Sequence, residues 1–232
     1  MDNLINRLQQ SIQDYFPDNV FIRKDGFGIY RLVSNNISDA KDLHKNYLED
    51  TKVVKWYFDY WIKIIIQFTK IDIESTYTNK SGITKKDYLN NLSKNNIELN
   101  KMFFETNISL SLFKGDYEVT TKVQLFRAEW DSYESVQNKH PQPHWQFYQL
   151  NEYQDKLDSV SSDSNFLSTV SSSVGFNEFL NSKFDFKRFH FAMNGNWINN
   201  DSHIHSLNCE EKIVKWLPGL LSHLKSQVEH LE

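Results

Sequence analysis

The chain has 232 residues, 39% apolar and 15% aromatic, with 26 basic against 30 acidic side chains and a formal charge of −4. Only 7 Gly and 4 Pro argue against a Gly-rich phosphate loop and against a disordered protein, and the charge balance lacks the basic excess of a nucleic-acid footprint. The single cysteine, Cys209, excludes an intramolecular disulfide and a multi-cysteine zinc site.

The amino terminus lacks the basic-then-apolar layout of a secretory signal, so a reducing, cytoplasmic setting is expected. Length fits a single α+β domain over 1–232, divisible into a helix-rich 1–99 and a 100–232 part carrying a sheet and a closing helix.

Leu4, Ile5, Leu8, Ile12, Tyr15 and Phe16 recur at helical spacing, which predicts an amphipathic helix over 3–16 that ends before Pro17. Val20 to Val33 reads as a hairpin centred on Asp25-Gly26, pairing Ile22 with Ile29 and Phe21 with Tyr30. Residues 38–49 read as helical, with Ser38 or Asp39 as cap. Residues 53–71 are the most apolar segment. Lys55, Asp59, Lys63 and Gln67 recur every fourth residue, so this segment reads as a central helix with one wet edge. That reading makes Lys55–Asp59–Lys63 a set of i,i+4 pairs and buries Val54, Trp56, Phe58, Trp61, Ile62, Ile65 and Phe68. Charges at mid-span argue against a membrane helix. Thr84 with Asp87 resembles a capping box for a helix near 85–99.

An antiparallel sheet is expected from 103–113, 117–130, 144–150 and 184–193. The first two arms alternate apolar and polar residues about a tight turn at Gly115-Asp116. With Lys114 opposite Tyr117, the apolar face holds Ile108, Leu110, Leu112, Val119, Val123 and Leu125. A wet face then holds Glu105, Asn107, Ser109, Ser111, Glu118, Thr120, Lys122 and Gln124. Arg127 and Glu129 fall on the apolar face, a departure that marks a candidate site. Residues 155–173 are Ser- and Asp-rich and read as a mobile connection, with a short helix near Phe166 to Val174. Asn208 with Glu211 opens the last helix, striped by Ile213, Leu217, Leu220, Leu221, Leu224 and Val228, in which Pro218 should force a kink or restart.

Four groups could carry chemistry. Arg127 and Glu129 would form a charged pocket or a structural ion pair. In the run 140–147, His140, Gln142, His144 and Gln146 share one side of an extended chain, with Trp145 and Phe147 turned to the core. The alternation is similar to that of histidine-triad nucleotide hydrolases and transferases. Gln142 stands where a triad has His, so the chain is not read as a member. His190, with Arg188, lies in the strand 184–193; beside His144 it could form an anion or phosphoester site. Asp201, His203 and His205 have the spacing of a divalent-metal site. Cys209 sits at a helix start but has no assignable partner.

Two functions follow. The leading expectation is a partner-binding or accessory subunit with no cofactor, acting through a protein partner or a homo-oligomer, without membrane or nucleic acid. The alternative is a His-based hydrolase or nuclease acting on phosphoesters through His144, His190, Arg127 and Glu129.

Overall fold

The computed structural model describes residues 2–44, 47–70, 104–117, 122–131, 143–147 and 210–231. The elements are helix α1 (Asp2–Ile12) with a 3-10 turn (Gln13–Tyr15), then strands β1 (Val20–Lys24), β2 (Ile29–Ser34), β3 (Ile37–His44), β4 (Tyr47–Lys55) and β5 (Tyr60–Lys70). Strands β6 (Phe104–Lys114), β7 (Lys122–Asp131) and β8 (His144–Phe147) follow, and helix α2 (Glu210–Leu231) closes the order. This is an α+β protein in which the eight strands among the described residues form one mostly antiparallel sheet.

The predicted helices at 38–49 and 53–71 are strands. A polar residue at every fourth position fits a strand as well as a helix, because 4 is a multiple of 2. Along β5, Tyr60, Ile62, Ile64, Ile66 and Phe68 are buried on one face, while Lys63 and Gln67 sit on the other. Four isoleucines within 62–66, between Tyr60-Trp61 and Phe68, favour the strand, where β-branched and aromatic side chains pack well. Polar Asp59 lies in the turn joining β4 to β5, in which Trp56 N–H donates to Tyr60 O and Tyr60 N–H to Tyr57 O.

The pairings close on themselves. Strand β5 pairs with β4, β4 with β3, β3 with β7, β7 with β6, and β6 with β5. Four antiparallel steps bring the fifth strand parallel to the first, and β3–β7 is indeed the parallel pair. Beyond this ring, β2 pairs with the far half of β5, and β1 with β2.

The outer face of the ring packs on the two helices. Ile62, Ile64, Ile66, Ile108, Leu110, Leu112, Phe126 and Ala128 meet Leu4, Leu8 and Ile12 of α1, and Ile213, Leu217, Leu221, Leu224 and Val228 of α2. Both helical stripes are buried as their spacing predicts, at about 1.5–3 kcal/mol per large side chain. Arg7 of α1 pairs with Glu210 of α2 at 3.2 Å. Pro218 does not interrupt α2, which runs unbroken through it. Among the described residues no helix is long and apolar enough to cross a membrane.

Both predicted hairpins exist, but in other registers. Ile22 faces Leu32 and Phe21 faces Val33, because 25–28 forms the connection rather than Asp25-Gly26 alone. Gly28 is required there: its φ is +72°, and an added Cβ would stand 2.1 Å from the Phe68 carbonyl oxygen. Between β6 and β7, Lys114 faces Val123 rather than Tyr117, and the register shifts at Leu112/Phe113. That irregularity reverses the expected faces of β7. Phe126, Ala128 and Trp130 take the apolar face, opposite Leu112, Leu110 and Ile108. Arg127 and Glu129 move to the other, opposite Ser111 and Ser109.

That second face lines the interior of the ring. Ala40, Val53, Trp61 and Phe113 form a small core of their own. Ser111, Lys122 and Gln124, predicted to be wet, are buried there, with Gln124 donating to Ser111 Oγ at 3.1 Å. Lys63 of β5 reaches over to Asp42 of β3 at 2.5 Å, both nearly buried, so Lys63 does not pair with Asp59 as a helix would require.

The predicted helices near 85–99 and 166–174, strand 184–193 and cap residue Asn208 lie outside the described residues.

Candidate functional site

Arg127, Glu129, His144 and Gln146 meet on the inner face of β7 and β8. The ladder sets Arg127 opposite Gln146 and Glu129 opposite His144, so the four side chains form a two-by-two grid. Arg127 Nη2 donates to Gln146 Oε1 at 2.7 Å, and its Nε lies 3.0 Å from Glu129 Oε1. Glu129 Oε2 stands 3.6 Å from His144 Nε2, an ion pair when the imidazole is protonated. Trp145 turns to the opposite face and packs edge-on against Phe126. The β7–β8 ladder puts these side chains on one face, and the β6–β7 irregularity makes that face the ring interior rather than the helix side.

Glu129 thus holds both a guanidinium and an imidazole. Such an arrangement can orient a His base, or simply neutralise a nearly buried arginine, whose side chain is 8% exposed. His190, Asp201, His203, His205 and Cys209 lie outside the described residues. Among the described residues no group of three or more His, Cys, Asp or Glu could hold a metal.

A second cluster, which sequence reasoning missed, occupies the end of the ring where the β4–β5 turn meets the start of the β6–β7 connection. Gly115 N–H donates to Asp59 O at 2.9 Å, and Trp61 Nε1 donates to Gly115 O at 2.7 Å. The Lys55 and Lys122 ammoniums each lie 4.7 Å from the Trp61 ring centroid, within cation–π range. Burial pushes the Lys55 amine below its ordinary value, against the charges of Asp59 and Asp116. Burial, and then the Lys55 charge, push Lys122 the same way.

Phe58, predicted to be buried, is instead 54% exposed and sits at φ +49°. Tyr117 is 66% exposed, its ring 5.8 Å from that of Trp61. The signal was present in the run 56–61, where five aromatics surround one Asp. Such a run suits two strand ends around a turn, with one aromatic left outside.

No protein-family model, curated protein sequence or solved structure matches the chain.

Proposed function

We propose that the protein is a non-catalytic partner-binding or accessory subunit. One observation carries this reading: of the six exposed large apolar side chains among the described residues, five are aromatic. These are Phe21, Phe27, Phe58, Tyr117 and Phe147, with Ile37 the sixth. Aromatics give large contact area for little conformational entropy and are enriched at binding hot spots. The single cysteine agrees with a reducing cytoplasmic setting for such a role.

The test is co-purification from the native cells, with native mass spectrometry, for the wild type and for a variant carrying serine at all five positions. A stoichiometric protein partner, or a second copy, that the folded variant loses supports the proposal. A wild-type chain found alone and monomeric contradicts it.

A second reading, a hydrolase acting on phosphoesters, is favoured by Glu129 standing between Arg127 and His144. Hydrolysis of a generic aryl phosphodiester by the wild type, lost in a folded His144→Gln variant, would select it over the binding reading.

A further inference from the structure

We propose that the ring end bearing Phe58 and Tyr117 is the docking surface for a partner-protein segment that presents one carboxylate beside an apolar side chain. This rests on the partner-binding reading and names its surface.

A left-handed backbone suits Gly, Asn or Asp, and disfavours a bulky aromatic. Phe58 holds that conformation while more than half exposed; its carbonyl accepts from the Lys55 ammonium, a bond any residue at 58 could make, so the turn does not require the aromatic side chain. Strained residues that persist in this way cluster where a contact is made.

Two buried lysines brace the loops from below. Lys114 donates to the Tyr60 hydroxyl at 3.0 Å and pairs with Asp59 at 3.4 Å, fixing the β4–β5 turn. Lys122 donates to the carbonyls of Asp116 at 2.5 Å and Tyr117 at 3.4 Å, holding these two residues after β6. The two loops are then tied together through Gly115 and Asp59. Aromatics held out on braced loops lose little freedom on binding, which is the condition for a preorganised hot spot.

Lys55, Lys114 and Lys122 stand against Asp59 and Asp116, and Asp39, which also acts on Lys122, is itself paired with Lys52, so one surplus positive charge remains at this end. Lys114 and Lys122 are 3% and 0% exposed, so Lys55, half-buried and with one of its donors on the Phe58 carbonyl, is the ammonium a ligand can reach. One surplus charge matches one carboxylate. A chain of phosphates would meet Asp59 and Asp116 as well, which disfavours nucleic acid here.

The experiment screens the full chain against a random-peptide display library, then measures the enriched peptide and a labelled oligothymidylate by fluorescence anisotropy. Enriched peptides should carry Asp or Glu next to an apolar residue. Phe58→Gly, which suits the left-handed position and should fold, should weaken binding about tenfold or more, the scale of a hot-spot truncation. Lys55→Gln should weaken it less and flatten its salt dependence. The absence of enrichment, or unchanged peptide affinity in Phe58→Gly, would overturn the proposal. Oligothymidylate binding lost in that variant would assign the surface to nucleic acid instead. Wild-type self-association dispersed by that variant would assign it to a second copy. If Phe58→Gly keeps its cellular partner while the five-serine variant loses it, this surface is refuted and partner binding stands.

Discussion

The indole N–H of Trp61 donates to the Gly115 carbonyl at 2.7 Å inside the strand ring. Trp61 is fully buried and belongs to the ring's own core with Ala40, Val53 and Phe113. Trp61→Ala should therefore cost about 3–5 kcal/mol through lost burial and the cavity left behind. Trp61→Phe keeps much of the volume but strands a buried carbonyl, and should cost about 1–3 kcal/mol. Urea unfolding of both variants checks the order.

The Lys63–Asp42 pair, 12% and 10% exposed, ties β5 to β3 across β4. Breaking it from one side leaves a buried charge alone. Lys63→Met should cost about 3–5 kcal/mol, and the double change Lys63→Met with Asp42→Leu much less. A double loss equal to the sum of the Lys63→Met and Asp42→Leu single losses would show that the pair is not coupled.

The polar grid should behave as a unit in stability. Arg127→Ala and Glu129→Ala should show a coupling of about 0.5–3 kcal/mol in a double-mutant cycle, because both belong to one network with Gln146 and His144. Additive losses, found with thermal melts, would mean that the side chains do not interact in solution.

Much of the fold was legible in the residues. Helix α1, helix α2 and its six buried positions, and the antiparallel neighbours β6, β7 and β8 all follow from spacing. What failed has identifiable causes. Lys55, Asp59, Lys63 and Gln67 satisfy both periods, so β4 and β5 read as a helix until the β-branched run is given its weight. The irregularity at Leu112/Phe113 leaves no mark in the sequence, yet it decides which face Arg127 and Glu129 occupy. The convergence of His144 on that pair was legible from strand order. The shared face was not. Phe58 was assigned to the core because a large aromatic beside Trp56 and Trp61 belongs there on composition alone; only a turn puts it outside.

The lowered Lys55 amine makes stability depend on pH. Burial, its largest cause, disfavours the charged form in the folded state, so the unfolded chain binds more protons between the lowered folded pKa and 10.5. Stability contributed at this site therefore rises as pH climbs through that window. Lys55→Gln removes the effect. The stability of the wild type relative to Lys55→Gln, measured from pH 7 to the alkaline side, should increase with pH. A flat or falling difference would contradict the desolvated site.

The central claim is that Phe58 is kept outside, in a costly backbone conformation, for a contact. Its most direct test is Phe58→Gly, with chemical denaturation and partner binding measured on the same sample. Relief of left-handed strain, about 1–3 kcal/mol, is offset in part by the roughly 0.5–1 kcal/mol entropic cost of glycine. The account predicts stability equal to or above wild type, together with lost binding. A variant destabilised by more than about 1 kcal/mol that still binds its partner would show that Phe58 serves the fold, and would contradict it.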